Sequence, residues 1–369
     1  MLRKLFISII CFSFFQLSFA QGMGTEKIKA LVDTITANKS FNGVILYAEA
    51  GKTVYEKAIG YRTYADKKGL KKTDVFELAS VSKQFCALVI MQLKEKGLLQ
   101  YDDLVEKYLD IPYKGITIRN LLTHTSGLPD YQQIMDQNWD KTKVANNNDI
   151  IAYLNKFHPP ILFSPGEKYT YSNTGYVLLA SIAEKASGRD FIEYCNAEIF
   201  QKLGMKHTAI RTLEEKAAVK NFAIGHMYAS ENRGYVRADS FPSSNYTIWL
   251  GNRKGPGRIS STAQDLLKWD NAIRNYQLVS KETMQEAYQP MKLNNGKYSN
   301  YGFGLELVFK NNALHLVWHN GDNPGYKTLI LRDFTYNRTL ILLTNNDALE
   351  MNALIGACAR IIDKEPLKN

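Results

Sequence analysis

The sequence predicts a mixed α/β (α+β) protein in which an antiparallel sheet flanked by helices packs against a mainly helical lobe. Strand-like segments lie near both ends of the chain, whereas the interval from about Tyr101 to Leu250 shows helical patterns and long loops. The 369 residues are 45% hydrophobic and 22% charged. That composition is typical of a globular protein with a large core, and it excludes disordered, collagen-like and coiled-coil chains.

The first twenty residues have the pattern of a secretory signal peptide. Arg3 and Lys4 precede an apolar run over 5–19, and Ser18-Phe19-Ala20 supplies small residues for cleavage. We therefore expect a signal peptide over 1–20 and an exported protein, periplasmic or secreted, that begins near Gln21. An uncleaved anchor is the alternative. No later stretch is long and uncharged enough to span a bilayer, so the mature chain is expected to lack an integral membrane segment.

The first part of the mature chain alternates between helix and strand. Apolar spacing predicts an amphipathic helix over Thr25–Ser40, and two extended segments, Gly43–Ala50 and Thr53–Tyr61, read as a hairpin. The next segment, Ser80–Lys96, has a helical composition and stops at Gly97. Within it Phe85–Leu93 is apolar nearly all round, which predicts a central, buried helix.

Later in the chain, a helix is predicted over Thr174–Ala186, and a second helix is expected to open at Ser261 with a capping box to Gln264. The remaining elements are four strands and a closing helix, over 302–309, 314–319, 326–332, 338–343 and 349–362. We expect one domain over 21–369, organised around a single sheet that is built from both chain ends. The sheet lobe spans about 21–80 and 255–369, and the helical lobe about 81–254.

Charge and cysteine content limit the possible partners. The formal charge of +10 falls by two when Arg3 and Lys4 leave with the signal, and the remaining basic surface favours anionic polymers. No aromatic-rich nucleic-acid motif accompanies the lysines, so no nucleic-acid partner is expected. Oligomeric state stays open, as does the oxidation state of three cysteines in apolar contexts, Cys86, Cys195 and Cys358.

No cofactor or metal site is expected. The chain lacks Cys-x-x-Cys and His-Glu-x-x-His patterns. His315 and His319 have a spacing of four, but the surrounding alternation predicts a strand, on which the two rings would stand too far apart to share one ion.

The first candidate for catalysis is Ser80-Val81-Ser82-Lys83 at the start of the buried helix. A spacing of three puts Ser80 and Lys83 on one helix face, one turn apart. A serine hydroxyl needs a base, and a desolvated lysine at a helix N-terminus has a lowered pKa that suits it to that role. Alone, the tetrapeptide is equally compatible with a capped helix carrying a surface lysine.

Two further candidates follow. Tyr171-Ser172-Asn173 lies on a loop before a helix, where a tyrosine can relay a proton if nearby cations lower its pKa and an asparagine can bind an amide. His319-Asn320-Gly321 is expected to end a strand, with glycine letting a substrate approach the sheet edge. By itself each motif reads as a cap or a turn.

In this order and spacing, Ser-x-x-Lys, Tyr-x-Asn and His-x-Gly resemble the penicillin-recognising serine hydrolases, the superfamily of class C β-lactamases and DD-peptidases. The resemblance extends over nearly all of 25–362. It also includes four longer matching segments: Phe76–Lys83, Ile118–Pro129, Phe163–Gly166 and Ser261–Leu266.

The resemblance implies the β-lactamase/DD-peptidase-like fold and an acyl-enzyme mechanism. By similarity, Ser80 attacks a carbonyl, Lys83 and Tyr171 move protons, and Asn173 orients the substrate amide. The oxyanion hole would be formed by the backbone N–H groups of Ser80 and Asp322. Substrate-binding roles are also implied for His319, Asn320 and Gly321.

Two positions depart from the family pattern. His319 stands where many relatives have lysine and brings less positive charge at neutral pH. Asn320 replaces the usual threonine or serine, which puts antibiotic hydrolysis in doubt. Arg258 is a candidate carboxylate anchor, with a solvent-exposed arginine as the alternative. Thr125-Ser126-Gly127 is read as a structural turn.

We therefore expect an exported serine acyl hydrolase, penicillin-binding protein-like, that acts on D-amino-acid peptides, related amides or β-lactams. The substrate would be a small molecule or a peptide. An esterase of the same fold is one alternative, and a penicillin-binding or cell-wall-binding protein without turnover is another. A binder of anionic polymers is a third, and its affinity would fall with salt.

Overall fold

The computed structural model describes residues 26–34, 37, 41–231, 234–348 and 351–362. The signal peptide expected over 1–20 lies outside the described residues. Within these ranges, no helix combines the length and the apolar character needed to cross a lipid bilayer.

The described residues contain helices and strands throughout, with consecutive helices in the middle of the chain and consecutive strands near its end. The helices of the described residues are α1 (26–34), α2 (Lys83–Glu95), α3 (Ile118–Leu122), α4 (Tyr131–Asn138), α5 (Asn147–Phe157), α6 (Asn173–Ser187), α7 (Phe191–Cys195), α8 (Leu213–Ala218), α9 (Tyr246–Trp249), α10 (Ala263–Arg274), α11 (Lys281–Ala287) and α12 (Met351–Ile362). The strands are β1 (Gly43–Glu49), β2 (Lys52–Ile59), β3 (Tyr61–Thr63), β4 (Lys68–Gly69), β5 (Phe76–Glu77), β6 (Ala209–Ile210), β7 (His226–Ala229), β8 (Gly234–Arg237), β9 (Ile259–Ser261), β10 (Met291–Lys292), β11 (Tyr298–Ser299), β12 (Glu306–Lys310), β13 (Ala313–Asn323), β14 (Tyr326–Asp333) and β15 (Arg338–Thr344).

Six of these strands form one sheet in the order β12-β13-β14-β15-β1-β2, with every neighbouring pair antiparallel. The first strand of the chain pairs with the last, so that Ile45 lies opposite Leu342. The predicted antiparallel sheet built from both chain ends is therefore confirmed.

Neighbouring residues of a strand point to opposite faces of the sheet. Both faces are buried here, each against a different hydrophobic cluster. Val44 and Leu46 of β1 belong to the main core with α2 and the helical lobe, whereas Ile45 packs in a second cluster with Ile28 of α1 and Cys358 of α12. All three described cysteines are buried and free.

The predicted central helix is present, but it begins differently. Ala79–Ser82 form a turn of 3₁₀-helix, and the α-helical part, α2, starts at Lys83. Its residues are buried from Lys83 to Leu93, and the chain leaves the helix at Gly97 with a φ of +71°. Ser80 therefore lies in the 3₁₀ turn, whereas Lys83 is the first residue of the α-helix.

Three predicted boundaries are wrong. Ser261 lies in β9 and bonds Thr208, while Thr262 caps α10 by accepting from the Asp265 N–H, so the Ser261 capping box does not form. Strand β12 begins at Glu306 rather than at 302, because the Gly302 N–H donates to the Leu305 carbonyl in a tight turn. Strand β13 does not end at Gly321 but continues to Asn323.

Candidate active site

Ser80 lies in the 3₁₀ turn between the sheet and α2, and the turn is fixed from both sides. The Thr328 hydroxyl of β14 donates to the Leu78 carbonyl (2.7 Å), and the Ile259 N–H of β9 donates to the Ser82 hydroxyl (3.2 Å). Ala79, immediately before Ser80, has a φ of +48°, a left-handed conformation that costs an alanine on the order of 1–2 kcal/mol. The surrounding hydrogen bonds hold this strained backbone, which leaves Ser80 partly exposed.

Lys83 is fully buried and has three neighbours for its amine. Nζ lies 3.1 Å from Ser80 Oγ, 2.8 Å from Asn173 Oδ1 and 3.0 Å from the Pro256 carbonyl oxygen. Asn173 comes from the start of α6 in the helical lobe, and Pro256 from the loop before β9. The structure therefore brings together Ser80, Lys83 and Asn173 of the predicted site.

Burial lowers the pKa of Lys83 well below its usual value, and the positive charge of Arg253 lowers it further. A neutral amine has two N–H donors and one lone pair. The carbonyl oxygens of Asn173 and Pro256 can only accept, so they take the two N–H groups. The lone pair is left for the hydroxyl hydrogen of Ser80, and this arrangement makes Lys83 a base for Ser80.

Tyr171 closes the other side of the amine, with its ring centroid 4.7 Å from Lys83 Nζ. Burial raises the pKa of Tyr171, and the interaction of its hydroxyl with Ser80 offsets only part of that rise. The lowering of this pKa by nearby cations, on which the sequence analysis made a relay role depend, is not found for Tyr171. Tyr171 is therefore a phenol, a proton donor, although 40% of the residue is exposed at the cleft.

His124 holds the Tyr171 loop, and sequence reasoning did not single it out. Its Nδ1 accepts the Ser172 N–H (3.0 Å), and its ring stacks 4.3 Å from Tyr171 and 4.5 Å from Tyr301. Its pKa is lowered well below normal by burial and by Lys83, so the ring is neutral. The sequence clue to His124 was its position within Ile118–Pro129, one of the segments that resemble the family.

The turn that follows His124 is tightly packed, and its structural role remains a prediction. Gly127 has a φ of +73°, and a Cβ there would meet the Phe163 carbonyl at 2.0 Å. The Thr125 hydroxyl accepts from the Asn120 side chain (3.0 Å).

His319 is buried, with 2% exposed, and both ring nitrogens have partners within the protein. Nδ1 lies 2.6 Å from the Asn320 carbonyl and Nε2 lies 3.0 Å from the Tyr301 hydroxyl. Burial and Lys83 lower the pKa of His319 to about 3, so the ring is neutral, with Nδ1–H donating to the carbonyl. His319 thus brings no positive charge to the site.

Gly321 lets β13 approach the Ser80 turn. A Cβ on Gly321 would lie 2.2 Å from the Leu78 carbonyl oxygen and 2.3 Å from Thr328 Oγ1. His319 shares this face of the strand, whereas alternation places Asn320 on the opposite face, half-buried. The substrate-binding roles expected of His319, Asn320 and Gly321 remain predictions.

The backbone of Asp322 points towards the open edge of the sheet. Strand β12 pairs with β13 only as far as Trp318, so that β13 is unpaired on that side beyond this residue among the described strands. Lys327, which lies opposite Asp322, uses its N–H and carbonyl to bond Thr344 on β15. Asp322 and Lys327 are thus a non-hydrogen-bonded pair, which turns the Asp322 N–H away from β14, as an oxyanion donor requires.

Arg258 is neither exposed nor free to anchor a carboxylate, so both sequence readings of it are wrong. It is 4% exposed, and its guanidinium donates to the carbonyls of Arg211 (2.5 Å) and Arg253 (3.3 Å). A left-handed backbone with a φ of +77° turns it into the protein. Its role is to hold the loop before β9.

A cavity of about 400 Å³ opens beside Asn323, at the far end of the β13 edge. Glu77 and Lys216 form an ion pair in its wall at 2.5 Å, and the Asn323 amide donates to Glu77 (2.6 Å). Burial raises the pKa of Glu77, but Lys216, Arg253 and Asn323 together lower it by more, and the carboxylate is charged. The lining also includes the apolar side chains of Leu213, Phe222 and Ile248 and the charged side chains of Arg237 and Asp239.

Within the described ranges, no group of three or more His, Cys, Asp or Glu side chains is placed to hold a metal ion. The chemistry available to the site is that of a serine, an amine and a phenol.

The fold and the Ser80–Lys83 pair define the protein as a serine hydrolase of the β-lactamase and penicillin-binding protein fold. A family model described as Beta-lactamase matches residues 28–357. The chain belongs to the Beta-lactamase family.

Relatives and solved structures agree with this. The chain is 39% identical to penicillin-binding protein 4* of Bacillus subtilis over 346 residues, 92% of this chain and 76% of that protein. It superposes on a penicillin-binding protein from Bacillus halodurans with a TM-score of 0.76 and 25% identity, covering 88% and 98% of the two chains. A D-amino acid amidase from Ochrobactrum anthropi shares the fold, with a TM-score of 0.74, 24% identity and coverage of 92% and 98%.

Proposed function

We propose that the protein is an exported hydrolase that forms an acyl-enzyme at Ser80 and acts on D-amino-acid peptides, related amides or β-lactams. The observation that carries this proposal is the environment of Lys83. The amine is buried, its pKa is lowered well below the usual lysine value, and Nζ lies 3.1 Å from Ser80 Oγ, 2.8 Å from Asn173 Oδ1 and 3.0 Å from the Pro256 carbonyl oxygen.

In the acylation step, Ser80 Oγ attacks the substrate carbonyl carbon while its proton passes to Lys83 Nζ. The carbonyl oxygen becomes an oxyanion and accepts from the N–H groups of Ser80 and Asp322. Donors fixed in this way typically contribute a few kcal/mol to the transition state. Asn173 is positioned to contact the substrate amide through its side-chain N–H₂, because its oxygen is used by Lys83.

Collapse of this intermediate breaks the bond to the leaving group, which must gain a proton. Tyr171 is a phenol close to Ser80 and is placed to give that proton, and the proton held by Lys83 can then replace it. In deacylation a water molecule attacks the ester at Ser80, Lys83 again takes a proton, and Ser80 recovers its hydroxyl. The same residues serve both half-reactions.

The proposed substrate class follows from the relatives. Penicillin-binding protein 4* is 39% identical, and its name states that it binds penicillin. A shared fold at 24% identity does not identify a substrate, so the amidase adds no argument about specificity.

The test is the intact mass of the purified protein after incubation with a fluorescent penicillin, with a D-alanyl-D-alanine peptide and with a short-chain p-nitrophenyl ester. Wild-type protein is compared with Ser80→Ala and with Ser187→Ala, a serine at the last residue of α6 whose hydroxyl bonds only backbone groups. We expect a penicillin adduct in the protein mass, or free D-alanine in the reaction mixture, that requires Ser80 and persists in Ser187→Ala.

Other outcomes would overturn the substrate assignment. Ester turnover without a penicillin adduct or peptide cleavage would indicate an esterase. A stable penicillin adduct without turnover would indicate a penicillin-binding protein that does not deacylate. An adduct that forms equally in Ser80→Ala would refute the nucleophile itself.

Export is part of the proposal. It is supported by the basic start, the apolar run and the small residues at 18 and 20. The N-terminus of the protein recovered from the native host, read by mass spectrometry, should be Gln21. A mass that includes residues 1–20 would contradict cleavage.

A further inference from the structure

Arg253 is a buried cation that lacks a partner of opposite charge. Only 8% of the residue is exposed, and its Nε has no hydrogen-bond partner. Among the described residues, no carboxylate lies within ion-pair distance of its guanidinium. The ring of Tyr246 lies 5.9 Å away. Buried charges are normally paired, because desolvating an ion without compensation costs several kcal/mol.

The guanidinium of Arg253 faces the Ser80 turn. A methyl group built on Gly257 would lie 3.9 Å from Arg253 Nη2 and 3.9 Å from the Ala79 carbonyl oxygen. Ala79 immediately precedes Ser80, and the Pro256 carbonyl, next to Gly257, accepts from Lys83. The charge of Arg253 also lowers the pKa of Lys83. Arg253 is therefore part of the wall that surrounds the proposed nucleophile and its base.

Neighbouring charges do not neutralise Arg253. The Glu77 carboxylate is already bound by Lys216 (2.5 Å) and by Asn323 (2.6 Å). Arg258, a second cation nearby, donates to backbone carbonyls. This wall thus holds more positive than negative charge, which favours the binding of an anion.

The position of Arg253 identifies which part of the substrate it would meet. The open edge of β13 runs from His319, its near end, to Asn323, its far end. Tyr171, the proposed proton donor to the leaving group, lies at the near end, with its ring centroid 6.2 Å from that of His319. Glu77 and Asn323 mark the far end of that edge, and Arg253 lies on their side, close enough to Glu77 to lower its pKa. Glu77 and Asn323 also line the cavity of about 400 Å³. Because the leaving group lies beside Tyr171 at the near end, the acyl part of the substrate lies towards this far end.

We propose that Arg253 binds a carboxylate carried by the acyl part of the substrate. The inference rests on the proposed acyl-enzyme function of Ser80 and names the substrate class: acyl-D-amino-acid peptides or amides with an acidic group on the acyl chain. A guanidinium suits this role, since it stays charged at all relevant pH values and can donate two parallel hydrogen bonds to one carboxylate.

Binding to Ser80→Ala tests the inference without depending on turnover. The probes are N-succinyl- and N-glutaryl-D-alanyl-D-alanine and the matching carboxamides, in which the acyl-chain carboxylate is replaced by an amide. Calorimetry should show that at least one acid binds roughly 10- to 100-fold more tightly than its carboxamide, the effect of a charged hydrogen-bonded pair. Adding Arg253→Gln should remove that preference and leave carboxamide affinity unchanged.

Arg237→Gln is the matched control. Arg237 lines the neighbouring cavity, but it is paired with Asp239, so its loss should leave the preference intact. Equal affinity of Ser80→Ala for acid and carboxamide at both chain lengths would overturn the inference, as would a preference that survives Arg253→Gln. Failure of wild-type protein to form any acyl-enzyme would instead refute the proposed function, because the binding comparison does not require acylation.

A stability measurement separates substrate binding from a structural role. Arg253→Met removes an uncompensated buried charge and keeps an unbranched apolar side chain in place of the aliphatic stem. We expect its thermal midpoint to equal or exceed that of the wild type. A markedly lower midpoint would show that Arg253 supports the fold, and would overturn the inference.

Discussion

Lys83 and Asn173 are ninety residues apart in sequence, yet Nζ of the one lies 2.8 Å from Oδ1 of the other. This contact joins α2 to α6 and occupies one N–H of the amine. Together with the Pro256 carbonyl, it directs the lone pair of Lys83 at Ser80.

Asn173→Asp should change the pH dependence of acylation more than its maximal rate. A carboxylate at this position would favour the charged form of Lys83 and raise its lowered pKa. The acid limb of the acylation rate, followed by penicillin adduct formation, should move to higher pH by about 1–3 units. Asn173→Ala removes the contact without adding charge and serves as the control. An unchanged limb in Asn173→Asp would contradict Lys83 as the base.

Lys83→Met should abolish most acylation without unfolding the protein. Loss of a positioned general base typically costs about 10²- to 10⁴-fold in rate, whereas removal of a buried amine does not disturb an apolar helix. Adduct formation and thermal melting should be measured together. Lys96→Met is the control, since Lys96 bonds Tyr194 at the other end of the helix and should retain full acylation.

Tyr171→Phe should affect substrates according to their leaving groups. Amine leaving groups need a proton when the bond breaks, whereas p-nitrophenolate does not. We expect a loss of about 10²-fold or more in peptide or amide turnover, and a much smaller loss with p-nitrophenyl esters. Equal losses on both substrates would show that Tyr171 acts in positioning rather than in proton transfer.

Gly321→Ala should separate β13 from the Ser80 turn. The added methyl group would meet the Leu78 carbonyl at 2.2 Å, and backbone cannot move aside as a flexible side chain can. A loss of about 1–3 kcal/mol in unfolding free energy is expected, together with loss of acylation. Gly69→Ala is the matched control, because no atom lies within 4 Å of its Cβ position. Chemical denaturation of both variants checks this, and full acylation by Gly321→Ala would refute it.

Stability should fall on acidification partly because of His319. Its pKa is about 3 in the folded protein and about 6.5 in an unfolded chain, so the unfolded state takes up a proton first as the pH falls. The unfolding free energy should therefore decrease from about pH 6.5 towards pH 3. His319→Gln should show a shallower decrease over that range in urea titrations. An equal slope would mean that His319 is not held neutral by the fold.

Local patterns were enough to predict much of the fold. The continuous apolar runs of β1, β14 and β15 and the all-round apolar character of α2 left few other ways to bury these segments. Boundaries failed where a tertiary contact competes with a local signal. Ser261 resembles a helix cap, but its hydroxyl is taken by Thr208, fifty-three residues away.

The sequence by itself determined the order of the chemical groups: a serine and a lysine one turn apart, then Tyr171 and Asn173, then a histidine and a glycine on a late strand. Only the tertiary structure decided their pKa values and which of their hydrogen-bonding atoms already have partners within the protein. A pKa depends on burial and on charges from distant segments, such as Arg253 near Lys83 and Lys83 near His319. For the same reason the sequence could not show which arginine is available for a ligand. Only the packing shows that the guanidinium of Arg258 donates to backbone carbonyls, whereas Arg253 Nε has no partner.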